Sequence, residues 1–69
     1  MIDYKLLEAI AMVVQEGGFE KAATLMNLTQ SAVSQRVRLL EERAGKILLS
    51  RTSPPQPTDA GQKLIKHYL

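Results

Sequence analysis

Three turn signals divide the first two thirds of the chain into short segments with helical apolar spacing. Gly17-Gly18 follows the first segment, Asn27 follows the second and Gly45 follows the third. Glycine readily adopts the left-handed conformation that ends a helix, and asparagine tolerates it better than most other residues. We therefore predict helices over about residues 3–16, 19–26 and 30–44, so that the chain folds as a small, mainly helical domain.

The first and third predicted helices are amphipathic, and each begins at a favourable cap, Asp3 or Thr29. The first helix has one apolar stripe: Leu6, Leu7, Ile10, Val13 and Val14. At about 100° per residue, one side of the third helix is also apolar: Val33, Val37, Leu40 and Ala44. Its opposite side is polar: Gln30, Ser31, Ser34, Gln35 and Arg38. Arg36 falls on a flank between the two sides. Because apolar and polar residues are separated, we expect the apolar sides to be buried and the polar side of the third helix to face a partner.

The second and third helices fit a helix-turn-helix, in which two helices are joined by a short turn. Ala22 and Ala23 are small enough to let another helix approach closely, and Asn27 opens the turn. The polar side suits DNA, because amide side chains can pair with adenine, and arginine can pair with guanine or phosphate. The free N–H groups beside Thr29 can bind a backbone phosphate.

The basic residues are concentrated in the middle of the chain. Five of the nine, including all four arginines, lie within residues 30–51, which contain only two acidic residues. A phosphate-facing surface needs such clustering. A solvated helix face of mixed charge is the alternative that the charges alone leave open.

Residues 47–57 predict a minimal β-hairpin with a stiff tip. The apolar run Ile47-Leu48-Leu49 precedes a turn-rich stretch that contains all three prolines, and proline neither continues a helix nor donates to a strand ladder. Thr58 then caps a last helix with one apolar side: Ala60, Leu64, Ile65, Tyr68 and Leu69. No helix breaker follows Leu69, so we expect the chain to be part of a longer protein.

Several classes of protein are disfavoured by composition. The chain has no cysteine and one histidine, His67, so we expect neither disulfides nor a metal site, and no cofactor. The chain offers no nucleophile beside a base and no glycine-rich phosphate loop, which argues against an enzyme. No run approaches the roughly 18 apolar residues of a membrane span. We expect a cytoplasmic protein that does not bind membranes.

Three stretches form a pattern that is specific to one family. They are E-G-G-F-E-K-A-A-T-L-M-N-L-T-Q-S-A-V-S-Q-R-V-R-L-L-E at 16–41, L-L-S-R-T at 48–52 and P-T-D-A-G at 57–61. Through them, residues 4–61 resemble the DNA-binding domain of the LysR-type transcriptional regulators. Within that family the chain is most similar to the ArgP/LysG branch, which regulates basic amino-acid export, because T-Q-S-A-V-S-Q-R and P-P-x-P-T both occur.

The resemblance implies a winged helix-turn-helix, with residues 1–57 as the DNA-binding domain and 58–69 as the start of a linker helix. The third helix would enter the major groove and the hairpin, as the wing, would approach the minor groove. The resemblance implies DNA contacts at Gln30, Ser31, Ser34, Gln35 and, on the wing, Arg51, Thr52 and Gln56. The helical positions add Thr29, Arg36 and Arg38 to the predicted contacts. Two subunits would pair on a dyad-related operator through Leu64, Ile65, Tyr68 and Leu69. A C-terminal domain that binds a small effector, by analogy lysine or arginine, normally follows and is absent from this sequence.

Two departures from the family pattern affect the implied contacts. Many members have Ser-Arg in place of Ser34-Gln35, so the arginine that contacts DNA there lies one position later in this chain. Many wings carry a basic residue near the tip, where this chain has Pro54-Pro55-Gln56-Pro57. Arg51 is then the nearby cation, and it can either contact DNA or pair with Glu41 or Glu42.

A second hypothesis is a winged helix used for protein interaction or dimerisation without specific DNA reading. It rests on the last helix, because a core this small cannot bury all of its apolar residues. Salt-sensitive affinity for duplex DNA distinguishes the two hypotheses, since only phosphate neutralisation releases counterions.

Overall fold

The computed structural model describes residues 3–68. Over these residues it contains four helices and one two-stranded antiparallel sheet. In chain order they are α1 (Tyr4–Glu16), α2 (Phe19–Met26), α3 (Gln30–Ala44), β1 (Leu49–Ser50), β2 (Gln56–Pro57) and α4 (Asp59–Tyr68). The mainly helical class and the order of elements predicted from the sequence are confirmed.

The helix ends follow the local chemistry of the sequence. The Asp3 carboxylate accepts a hydrogen bond from the Lys5 N–H at 2.9 Å at the start of α1. The first three helices end at residues in the left-handed conformation: Gly17 (φ 77°), Asn27 (φ 57°) and Gly45 (φ 68°). The N–H of each cap residue donates to a carbonyl of the preceding turn, so some of the carbonyl groups at the helix end that lack an intrahelical partner are hydrogen-bonded.

The core forms around α1, which packs against α2, α3 and α4. The two alanines of α2 are buried, so α2 lies close to its neighbours as their size predicts. The largest fully buried side chains come from α1, α3 and the start of the hairpin: Leu7, Ile10, Val13, Val33, Val37, Leu48 and Leu49. No helix in the described part of the chain is long and apolar enough to cross a membrane.

Ala44 does not lie where its spacing predicts, and Ile47 also lies outside the core. Ala44 is exposed rather than buried, because it borders an open groove between the end of α3 and α4, which also contains Ala60 and Leu64. Ile47 is 67% exposed and precedes β1. The chain turns after Gly45, so only the last two residues of the run Ile47-Leu48-Leu49 reach the core.

The last helix is held against the core by apolar and polar contacts. Ile65 is buried at 8% exposure, whereas Leu64 and Tyr68 are partly buried. The Tyr68 hydroxyl donates to the Glu8 carboxylate of α1 at 3.4 Å. Ile65 is therefore buried within the single chain, and its contribution to a subunit contact stays a prediction. Leu69, assigned to the same contact, lies outside the described residues.

Candidate nucleic-acid interface

The amino end of α3 is open to solvent and capped by Thr29. The Thr29 Oγ1 accepts a hydrogen bond from the Ala32 N–H at 3.0 Å, and the Thr29 carbonyl accepts from the Val33 N–H at 3.1 Å. Other N–H groups of a first helical turn have no partner within the helix and are suited to bind an anion. Thr29 is itself exposed, as a residue beside a phosphate must be.

One face of α3 gathers the polar residues that the sequence singled out. Four of them are exposed: Gln30, Ser31, Gln35 and Arg38. Ser34 lies among them and is half-buried, while Val33 and Val37 are fully buried on the opposite side. We call these five polar residues the reading face. Its amide, hydroxyl and guanidinium groups can donate to and accept from base edges.

Arg36 is half-buried and does not belong to the reading face. Its helical position places it on the flank, so it can meet only the edge of a ligand that covers the reading face. Arg43, farther along α3, pairs with Asp3 at 3.6 Å. Both side chains of that pair are largely exposed, so solvent screens their attraction.

Arg51, the first residue after β1, contacts three side chains of the same chain. Its Nη2 lies 3.6 Å from the Glu41 Oε1, and its Nη1 donates to the Ser34 Oγ at 3.2 Å. Its guanidinium also lies 5.2 Å from the centre of the Phe19 ring, within the range of a cation–π contact. The ion pair with Glu41, one of the two alternatives left open by the sequence, is present, and contact of Arg51 with DNA stays a prediction.

Glu41 has a second role, which sequence reasoning missed when it named this residue only as a candidate partner of Arg51. It is 9% exposed, and its Oε2 accepts hydrogen bonds from the N–H groups of Leu48, at 2.9 Å, and Leu49, at 3.2 Å. Glu41 therefore ties the start of the hairpin to α3. Glu41 follows Ser34 by two helical turns and so shares its side of α3, but this spacing does not indicate the hairpin as its partner.

The hairpin has two residues in each strand, and one side-chain hydrogen bond lies within its loop. Leu49 pairs with Pro57 and Ser50 pairs with Gln56. In the loop between the strands, the Thr52 Oγ1 donates to the Pro54 carbonyl at 2.8 Å. Thr52 and Gln56, predicted to contact DNA, are both exposed on this hairpin.

A helix-turn-helix followed by a hairpin that is fastened to its second helix defines a winged helix-turn-helix domain. The sequence model for bacterial regulatory helix-turn-helix proteins of the lysR family matches residues 4–62. The chain belongs to this family.

Individual proteins show the same relationship. The chain is 57% identical over 67 residues to the transcriptional regulator ArgP of Pseudomonas aeruginosa, a match that covers 97% of this chain and 22% of ArgP. It superimposes on full-length LysG of Corynebacterium glutamicum with bound effector Arg, with a TM-score of 0.93 and 37% identity over 97% of this chain and 23% of LysG. For Vibrio fischeri DarR in complex with DNA, the TM-score is 0.89 and the identity 32%, over 99% of this chain and 24% of DarR.

Proposed function

We propose that this chain is the sequence-specific double-stranded DNA-binding domain of a LysR-type transcriptional regulator, with α3 in the major groove and the hairpin near the minor groove. The observation that carries the proposal is the reading face, which is exposed on the side of α3 opposite the core. The resemblance to DarR, whose structure contains DNA, supports it. Residues 1–57 form the DNA-binding unit in this proposal, and residues 58–69 begin the linker helix.

Each group of residues has a distinct role. Gln30, Ser31, Ser34, Gln35 and Arg38 contact base edges or nearby phosphates, because they share one side of α3 on which all but the half-buried Ser34 are exposed. Thr29 and the first N–H groups of α3 bind a phosphate, and Arg36 binds another at the flank. Thr52 and Gln56 approach the minor groove. Phosphate contacts fix the position of the domain, whereas base contacts determine its sequence preference.

The active form in this proposal is a homodimer on a dyad-related operator. Leu64 and Tyr68 are only partly covered by the core. The sequence predicts that Leu69 belongs to the same apolar stripe. Symmetric dimers of helix-turn-helix domains read half-sites about one helical turn apart, or a multiple of it. Sedimentation at increasing protein concentration, with and without operator DNA, tests this assembly.

The chain spans about a fifth of the length of ArgP, so the properties of a whole regulator are also proposals. A C-terminal domain would bind a small effector. LysG contains bound arginine, which supports arginine or lysine as the effector. The resemblance to the ArgP/LysG branch extends the proposal to basic amino-acid transport genes as the target. A regulator of this kind acts in the bacterial cytoplasm and has no enzymatic activity.

Selection of bound duplexes from a random DNA pool tests the DNA-reading function and reveals the half-site spacing. We expect one enriched motif, with affinity that falls steeply as salt rises, by a slope of about −0.9 per neutralised phosphate. The competing hypothesis of a protein-interaction module predicts association of subunits without a salt-sensitive affinity for DNA. A pool that shows no enrichment, together with salt-independent binding, would contradict the proposal.

A further inference from the structure

The Ser34 hydroxyl accepts hydrogen bonds from two arginines. Arg51 Nη1 donates to the Ser34 Oγ at 3.2 Å, and Arg38 Nη2 donates to the same oxygen at 3.5 Å. A serine hydroxyl has one O–H donor and two acceptor lone pairs. Because guanidinium groups can only donate, both acceptor sites of Ser34 are occupied by the protein. What remains for an external partner is the single O–H.

Arg51 is the better fixed of the two arginines. Glu41 holds its Nη2 at 3.6 Å, and the Phe19 ring lies 5.2 Å from its guanidinium carbon. Glu41 is in turn fixed, because its other carboxylate oxygen accepts the N–H groups of Leu48 and Leu49. The planar guanidinium presents its donors in a rigid fork. The donor directed at Ser34 is therefore set by a chain of contacts that runs from the hairpin through Glu41.

We propose that Arg51 is a positioning residue, which orients the Ser34 hydroxyl as a hydrogen-bond donor toward DNA. This inference rests on the DNA-binding function proposed above and specifies what Ser34 recognises. Its partner is an acceptor: a purine N7, guanine O6, thymine O4 or a phosphate oxygen. The amino groups of adenine and cytosine are donors, so they are not its partners.

The experiment is a binding titration with the duplex that the wild-type protein enriches from the random pool. The variants are Ser34→Ala, Arg51→Lys and the double variant. Lysine keeps the positive charge but lacks the rigid fork. We expect each single variant to lower affinity roughly three- to tenfold, the loss of one hydrogen bond, and the double variant to bind no worse than the weaker single variant. A phosphate-contacting Arg51 would instead leave Arg51→Lys within about twofold of wild type.

A further variant, Arg51→Gln, separates positioning from direct phosphate contact. Its salt slope should equal that of the wild type, whereas loss of a phosphate contact would reduce the slope by about 0.9. Thermal unfolding of each variant shows whether the fold is intact. As a readout independent of stability, Arg51→Lys and Ser34→Ala should have the same effect on the selected motif: loss of preference at the same position for a base acceptor, or no change for a phosphate acceptor.

The outcomes assign the acceptor or overturn the inference. If Ser34→Ala and Arg51→Lys both lose preference at the same base position, the acceptor is a base. If both variants weaken binding equally on all duplexes, and the double variant binds no worse than the weaker single variant, the acceptor is a phosphate oxygen. Independent losses that multiply in the double variant, or a reduced salt slope for Arg51→Gln, would overturn the positioning role while DNA binding itself stands. A wild-type protein that enriches no duplex would instead refute the proposed function.

Discussion

Gly61 of α4 lies so close to the main chain of Leu48 that a β-carbon at Gly61 would collide with the Leu48 carbonyl oxygen. Gly61 is buried at this contact. Glycine within a helix costs about 1 kcal/mol relative to alanine, so its presence in α4 is explained by the approach of the backbone and not by helix formation. The contact brings α4 against the start of the hairpin.

Replacement of Gly61 by alanine should lower the free energy of unfolding by roughly 1–3 kcal/mol, because overpacking outweighs the gain in helix propensity. Urea or thermal unfolding measures the change. Gln62→Ala, at the exposed neighbouring position, should stay within about 0.5 kcal/mol of the wild type. If Gly61→Ala were as stable as the wild type, the close approach would be wrong.

Removal of the Glu41 carboxylate should destabilise the attachment of the hairpin. Glu41→Ala leaves the N–H groups of Leu48 and Leu49 without their acceptor, which costs roughly 1–3 kcal/mol for each buried donor left unpaired. Hydrogen exchange should accelerate at these two amides more than in α1. Glu42→Ala is the matched control, because Glu42 is exposed; equal effects of the two variants would refute the role of Glu41.

Loss of the Thr29 cap should weaken the amino end of α3. Thr29→Ala removes the oxygen that accepts the Ala32 N–H and should cost about 1 kcal/mol of stability. Thr29→Ser keeps that oxygen and should remain close to the wild type in thermal unfolding. A serine variant as unstable as the alanine variant would show that the methyl group, and not the cap, is responsible.

Substitution on the reading face should change sequence preference without loss of stability. Gln30→Ala removes an exposed amide, so discrimination at its base pair should fall by roughly 1–3 kcal/mol, while the melting temperature stays unchanged. Competition titrations with single-base variants of the selected duplex measure this. Gln62→Ala, an exposed glutamine on α4, provides the comparison, and an unaltered preference in Gln30→Ala would remove Gln30 from the reading face.

The helices and their ends could be predicted because short-range chemistry determines them. Asp3 and Thr29 cap α1 and α3 through side-chain oxygens, and Asn27 takes the left-handed conformation expected of it. The residues of the reading face could be predicted from helical periodicity, because buried and polar residues of α3 lie on separate sides between Gln30 and Arg38.

The environment of the end of α3 could not be predicted, because it depends on contacts distant in the sequence. Helical spacing assigned Ala44 to the core and treated Glu41 as a solvated or pairing acid. Once the hairpin folds back, its start covers Glu41 and leaves Ala44 beside an open groove. Ile65 could not be placed for a similar reason: it belongs to the core of the single chain, and an apolar stripe alone does not reveal which surface covers it.

Thr58 is the single residue between the end of β2 at Pro57 and the start of α4 at Asp59. Its N–H donates to the Leu48 carbonyl at 3.0 Å and its hydroxyl donates to the Ile47 carbonyl at 2.7 Å. Only this one hydrogen-bonded residue is therefore available to absorb a rotation of α4. If α4 turns about its axis in a longer protein, that torque reaches the hairpin and, through Glu41, the far end of α3. The last helix and the hairpin thus form one mechanical unit.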